Sequence, residues 1–199
     1  DTVTSTMQEH LIRRIVASIR SAFLIDDGYG STTACIAGWA SLGHLVAGPD
    51  VCMLQPSLAD VHWRCTKYDQ LGATHMAAAL MAHPKPAVAS EAIQMMLSLL
   101  QDGHSGVQTT LHDLLSTGES WARTLMLTIA SRFKDLKAII AGECVFMWSD
   151  VKHRSENPIT VVMDQIKALQ GMVEGHCTSM QKLLQHQPSS YSSVDLLSP

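Results

Sequence analysis

Residues 90–115 read SEAIQMMLSLLQDGHSGVQTTLHDLL, and their apolar pattern decides the fold. The large apolar side chains of the first half recur at spacings of three and four: Ile93, Met96, Leu97 and Leu100. That spacing places them on one face of an α-helix, which we predict over residues 92–101 with Ser90 at its start. Gly103 is expected to end this helix in a left-handed conformation, and another helix is predicted over residues 107–115.

The same helical period extends outward in both directions. It predicts further helices over residues 11–24, 33–47, 57–70, 74–83, 119–140, 158–173 and 178–186. Thr74 is expected to cap the fourth of these, and Ile166 is expected to face the core from the helix over 158–173. Alternating apolar runs, which are typical of strands, are short throughout, so the sequence predicts an all-α protein.

The arrangement of these helices favours a stacked architecture. Helices of this length, joined by short turns and apolar on one broad face, indicate armadillo/HEAT-like stacked helical pairs, that is, a segment of an α-solenoid. No clean sequence repeat recurs along the chain, so the expected stacking is irregular. The predicted parts are an N-terminal helical segment (1–66), an armadillo-like helical region (67–141), a connecting loop (142–157) and C-terminal helices (158–199).

The composition of the 199 residues argues against several classes of function. Hydrophobic residues make up 46%, enough for a sizeable core, whereas charged residues make up only 16%. Free-standing domains carry roughly 25% charged residues, so the deficit suggests surfaces that other segments or partners cover. The net charge of -4, with Lys and Arg scattered along the chain, argues against a nucleic-acid partner and against a basic membrane-binding patch.

The sequence shows no motif for catalysis or for a metal site. The five cysteines are widely spaced and form no C-x-x-C pair, so we expect reduced buried thiols and neither a disulfide framework nor zinc. His62 and Cys65 lie one helical turn apart, but two ligands do not make a site, and a half-buried helix face is favoured. No nucleophile, base and oxyanion hole assemble, so no enzyme is expected. Residues 28–49 lack charge, but their five glycines make them too weakly apolar for a membrane span.

Glu174 is the one physically awkward position. It follows the helix predicted over 158–173, where the helix dipole and the last carbonyl groups are already negative, and a carboxylate there costs up to about 1 kcal/mol. The favoured interpretation is an exposed side chain that pairs with Lys167, with Lys182 or with solvent. The sharper alternative is that Glu174 is one oxygen ligand of a Ca²⁺ ion.

A set of motifs in consistent order resembles a known family of membrane channels. The stretches are QLGATHM (70–76), EAIQ (91–94), LLQDGH (99–104), VQ (107–108), RFKDLK (132–137), LQGMVEGH (169–176) and MQKLL (180–184). They are similar to segments of the intracellular calcium-release channels, which are the inositol trisphosphate receptors and the ryanodine receptors. The resemblance covers the chain from about Tyr68 to Leu197, and residues 158–199 look like the RIH-associated helices of that family.

This resemblance implies a regulatory role without catalysis. It implies a cytosolic helical segment that couples ligand-binding domains to the pore, on the cytosolic face of the endoplasmic reticulum or another calcium-store membrane. The residue that matches the family's activating Ca²⁺ ligand is Glu174, and the remaining ligands lie outside this chain. Because Ca²⁺ takes six to eight oxygens, the isolated chain is expected to bind it weakly or not at all. The implied partners are other domains of the channel and neighbouring subunits of a homotetramer.

A second hypothesis stays open beside the channel. An armadillo-like scaffold, whose grooves hold partner helices or peptides, would show the same helical pattern without any role in ion transport. The coding sequence beyond Pro199 separates the two, since membrane-spanning helices there favour the channel and a soluble end favours the scaffold.

Overall fold

The computed structural model describes residues 13–14, 58–142 and 157–186. Within these ranges the chain is helical and has no strand, so the predicted all-α fold is confirmed. The helices are α1 (Leu58–Gln70), α2 (Ala73–Leu80), α3 (Pro86–Leu99), α4 (Ser105–Ser116), α5 (Ser120–Ile140), α6 (Pro158–Val173) and α7 (Thr178–Gln185). Outside the described residues lie the helix predicted over 33–47, nearly all of the one over 11–24, the uncharged stretch 28–49 and most of the loop 142–157.

Two helix starts differ from the sequence prediction. Helix α2 is preceded by Gly72, whose φ is +85°, so Thr74 lies inside the first turn as a buried residue and does not cap the helix. Helix α3 begins at Pro86, ahead of the predicted start at Ser90. A proline at the first helical position has its φ already fixed and lacks an amide hydrogen that would have no partner there. In both cases backbone geometry sets the start, and no side chain caps it.

Helix α6 has the predicted bounds but a different buried face. The side-chain oxygen of Asn157 accepts a hydrogen bond from the amide of Ile159 at 3.0 Å and caps the helix, with Pro158 at its first position. The prediction that Ile166 faces the core is wrong, because this side chain is 39% exposed. The buried side chains of α6 include Val161, Val162, Asp164, Gln165, Ala168 and Met172. Two polar residues belong to this face, and a pattern built on hydropathy assigns them to the surface.

Within the described chain, six helices follow α1, and they form two triplets that contact each other helix by helix. We call α2, α3 and α4 the first triplet, and α5, α6 and α7 the second triplet. Each helix contacts its counterpart, so that α2 contacts α5, α3 contacts α6 and α4 contacts α7. Helix α1 packs against all three helices of the first triplet. Contact between counterparts is how neighbouring units stack in helical repeat proteins.

One hydrophobic core runs through the seven helices α1 to α7 of residues 58–142 and 157–186. Its largest fully buried side chains are Leu80, Met81, Ile93, Met95, Met96, Leu99, Leu111, Leu115 and Leu125. Most of them come from α3 and α4. Because α3 contacts helices of both triplets and α1, the two triplets share this core and do not form separate domains in the described chain.

Two buried ionisable groups on α1 predict a loss of stability at alkaline pH. Burial raises the pKa of the Cys65 thiol from 9.0 to about 11 and that of the Tyr68 hydroxyl from 10.0 to about 12. The unfolded chain releases these protons at the lower, ordinary values, so between pH 9 and pH 12 the folded state holds more protons than the unfolded state. The free energy of unfolding is therefore expected to fall as the pH rises through this window.

Chemical denaturation at several pH values between 9 and 12 measures this effect. The variant Cys65→Ala lacks one of the two titrations, so its free energy of unfolding should decline less steeply between pH 9 and pH 11. Equal slopes for the variant and the natural chain would contradict the assignment to Cys65.

Candidate functional site

Two short connections between helices have matching backbone conformations. The first turn, residues 101–104, joins α3 to α4, and the second turn, residues 174–177, joins α6 to α7. Each contains two consecutive residues with positive φ: Asp102 (55°) and Gly103 (66°) in the first, Gly175 (65°) and His176 (62°) in the second. Asp102 thus corresponds to Gly175 and Gly103 to His176. The prediction of a left-handed stop at Gly103 is confirmed.

His104 holds the first turn against α1. It is buried, and its Nδ1 accepts a hydrogen bond from the amide of Val107 at 3.2 Å, which caps α4. An accepting Nδ1 carries no proton, so in the neutral ring the proton is on Nε2. This Nε2 lies 3.1 Å from both the carbonyl oxygen of His62 and the hydroxyl of Thr66. The imidazole therefore ties the turn to two residues of the neighbouring helix.

The two turns touch each other at Gly103 and Glu174. A Cβ atom placed on Gly103 would lie 3.2 Å from Cγ of Glu174, which is tighter than most contacts of this kind, so the approach depends on glycine. Beside this contact, the buried Gln108 donates hydrogen bonds from Nε2 to the carbonyl oxygens of Gly171 at 2.9 Å and Glu174 at 3.0 Å. The last carbonyl groups of a helix lack partners within it. The first triplet therefore supplies the C-terminal cap of α6.

Glu174 lies at the predicted place, at the C-terminal end of α6, and its side chain is exposed. Lys167, one of the partners predicted for it, instead pairs with Asp164, with Nζ and Oδ1 3.3 Å apart. Within residues 58–142 and 157–186 no ion pair joins Glu174 to a cation. Its carboxylate is open to solvent at the negative end of a helix, and Asp102 on the contacting turn is exposed as well.

Polar side chains join α6 to the helices beside it, and sequence reasoning missed them. Asp164 and Gln165 of α6 are buried, and their partners Gln94 and Arg132 are half-buried. Gln94 Nε2 donates to Asp164 Oδ2 at 2.6 Å between α3 and α6. Arg132 of α5 donates from Nη1 to the carbonyl oxygen of Met81 at 3.0 Å and lies 3.4 Å from Oε1 of Gln165. Burial lowers the pKa of the Arg132 guanidinium from its ordinary value. These contacts fix the orientation of α6, and the second turn with it.

The described residues bring together no metal-binding cluster of protein side chains. Over residues 58–142 and 157–186, no group of three or more His, Cys, Asp or Glu could hold a metal ion by itself. Cys65 instead directs its thiol to the carbonyl oxygen of Ser98 at 3.6 Å, and His62 packs edge-on against His104. None of the helices described has the length and apolar content of a membrane span.

An apolar groove lies between α5, α6 and α7, and we call it the α5–α7 groove. Its volume is about 610 Å³, and apolar side chains form most of its lining, among them Phe133, Ile140, Ile166, Leu169 and Val173. Gln181 of α7 supplies one of its few polar groups. This groove explains why Ile166 is exposed, since the face of α6 that carries it has no further helix against it in the described chain.

No model of a known protein family matches the chain, and no characterised protein is significantly similar to it in sequence. The resemblance to calcium-release channels therefore rests on the quoted motifs and stays a prediction. The structure shows where those motifs lie relative to one another. The stretch 99–104 contains the first turn, the stretch 169–176 contains most of the second, and the two turns are in contact.

Proposed function

We propose that the chain is a non-catalytic coupling segment of an intracellular calcium-release channel. The observation that carries this proposal is the contact between the two turns at Gly103 and Glu174. The motifs that resemble the channel family are far apart in sequence, yet they form corresponding turns that pack against each other. Because Gln108 also binds the end of α6, a displacement of the second turn moves the first triplet with it.

Glu174 is proposed to contribute one oxygen ligand to an activating Ca²⁺ site. Its exposed carboxylate, at the negative end of α6 and without an ion pair in the described chain, is a suitable hard donor for this ion. Ca²⁺ takes six to eight oxygens, so the other donors would come from another domain. A bound ion would link the second turn to that domain and favour one packing of the stack over another.

Under this proposal the chain lies on the cytosolic face of a calcium-store membrane and contacts other domains and neighbouring subunits of a tetrameric channel. The low fraction of charged residues, 16%, and the exposed apolar groove support extensive contacts of this kind.

The variant Glu174→Gln in the full-length polypeptide tests the site. Removing the charge while keeping the shape should raise the Ca²⁺ concentration for half-maximal activation by at least about fivefold, the lower end of usual allosteric couplings. Calcium release from membrane vesicles, followed over a range of cytosolic Ca²⁺ concentrations, measures this shift.

The matched control is Asp135→Asn, which removes an exposed carboxylate from α5. Asp135 lines a pocket with Val161 and Val162, near the start of α6 and so at the opposite end of that helix from the second turn. This control should leave the Ca²⁺ dependence unchanged. An unchanged dependence in Glu174→Gln, or an equal shift in both variants, would count against the proposed site.

The apolar groove favours a second candidate, an armadillo-like scaffold without a channel role. The full-length transcript distinguishes the two. Membrane-spanning helices encoded beyond Pro199 would support the channel, and a polypeptide without them would support the scaffold.

A further inference from the structure

We infer that the α5–α7 groove binds the C-terminal end of a further α-helix, held as the first triplet holds α6. This goes beyond the proposed function and does not involve Ca²⁺ or Glu174. The inference rests on the correspondence between the triplets. Groups of the first triplet that contact α6 recur in the second triplet, where no helix of the described chain lies against them.

The correspondence of the two turns extends along the helices that flank them. At the same offset in residue number, it pairs Ile93 with Ile166, Leu100 with Val173 and Gln108 with Gln181. All three residues of the first triplet are buried, whereas all three counterparts line the α5–α7 groove. Leu100 packs against Gly171 of α6, and Gln108 binds the last carbonyl groups of that helix, so α6 covers these two residues of the first triplet. No helix of the described chain covers their counterparts, Val173 and Gln181, in the second triplet.

Two contacts of the first triplet with α6 indicate what kind of helix the α5–α7 groove would bind. Leu100 packs against Gly171, where an added Cβ would lie 3.1 Å from Cβ of Leu100, so a small residue is needed at the crossing point. Gln108 then donates to the carbonyl oxygens of Gly171 and Glu174, which end the helix. The expected partner helix therefore has three features. They are an apolar side, a small residue in the last turn, and terminal carbonyl groups without a cap.

The α5–α7 groove has the counterparts of both contacting residues, an apolar side chain and a glutamine. Val173 has the position in the second triplet that Leu100 has in the first. It lines the groove together with Ile166, which is 39% exposed, and Ile140, which is 77% exposed. Gln181 has the position in the second triplet that Gln108 has in the first. The side-chain amide of Gln181 has no acceptor within residues 58–142 and 157–186. Exposed apolar surface next to a donor of this kind matches the end of a helix better than it matches a small polar ligand.

A folded second copy of the chain is a poor occupant. The corresponding features of its own α6 are already in use, because Gly171 lies against Leu100 and the terminal carbonyls accept from Gln108. The expected partner is therefore a separate helix with the stated chemistry, as in the stacking of a further helical unit.

A labelled peptide of residues 157–176, which reproduces α6 and its C-terminal end, is the probe for this site. Fluorescence anisotropy with the full chain should show saturable binding. The variant Ile166→Glu, which places a charge in the apolar groove, should weaken binding at least about tenfold. The matched control is Met163→Glu, since Met163 lies on the same helix at 47% exposure but does not line the groove. It should bind the peptide like the natural chain.

A second peptide tests whether the bound helix needs a small residue where it crosses the groove. The same peptide with Gly171→Val carries a branched side chain at the crossing point and should bind at least about tenfold more weakly. Thermal unfolding followed by circular dichroism checks that Ile166→Glu is folded, and Ile140→Glu, at a residue 77% exposed, provides a second groove variant.

Three results would overturn the inference. They are the absence of saturable binding, equal binding by Ile166→Glu and the natural chain, and equal binding of both peptides. A fourth would be self-association in sedimentation velocity that Ile166→Glu abolishes and Met163→Glu does not, because the groove would then hold a second copy. Failure of the peptide to bind would leave the Ca²⁺ response of Glu174→Gln unaffected, so the two proposals fail separately.

Discussion

Replacing Gly103 with alanine is expected to lower the free energy of unfolding by about 2–3 kcal/mol. The left-handed backbone at this position, with φ of +66°, costs an L-residue roughly 1–2 kcal/mol. The added Cβ would also lie 3.2 Å from Cγ and 3.3 Å from Cβ of Glu174, so the two turns must separate slightly. That separation adds about 1 kcal/mol, the lower end of the usual cost of overpacking.

Gly175→Ala is the matched control for this prediction. Gly175 has nearly the same φ, +65°, but a Cβ there meets nothing within 4 Å, so only the backbone cost of roughly 1–2 kcal/mol applies. Urea denaturation of both variants gives the difference between them, which measures the contact between the turns. Equal losses would mean that the contact at Gly103 does not constrain the fold.

Replacing Gln108 with leucine is expected to destabilise the chain by about 2–4 kcal/mol. The side-chain amide is buried and serves two carbonyl oxygens, of Gly171 and Glu174, at the end of α6. Leucine has a similar size but no donor, so both acceptors lose a partner in a partly or wholly buried position. A buried group that loses its partner costs about 1–3 kcal/mol.

The matched control is Gln181→Leu, at the corresponding position of α7. Gln181 lines the α5–α7 groove and donates to no acceptor in the described residues, so its replacement should change the free energy of unfolding by less than about 0.5 kcal/mol. Chemical denaturation of both variants makes the comparison. Similar losses for the two would contradict the assignment of Gln108 as the cap of α6.

Local features of the sequence predicted the helices well. The bounds of α6 and the end of α1 at Gln70 agree with the prediction, and Gly103 adopts the predicted left-handed conformation. Proline at the start, glycine at the end and apolar spacing along the helix act within a few residues of each other, so they can be read from the chain alone. The prediction that α3 starts at Ser90 is wrong, although Pro86 marks the start of its helix in the same way as Pro158 does.

The correspondence between the triplets was missed at the level of sequence. Few residues are identical at the shared offset: Val88 and Val161, Ile93 and Ile166, Gln108 and Gln181, Leu111 and Leu184. These pairs are the signal that a comparison of the chain with itself could have found. They are hard to see because the other core positions, such as Met95 and Ala168, keep burial but change size.

The sequence by itself determined that this protein is helical, where most helices end, and that Glu174 follows the end of one of them. These properties depend on backbone preferences and on periodicity along one segment. Only the tertiary structure decided that Gln108 caps a distant helix, that Asp164 is buried against Gln94, and that Ile166 lines a groove. Each depends on which side of a helix meets a neighbour, and that is set by polar and close-packed contacts between segments far apart in the chain.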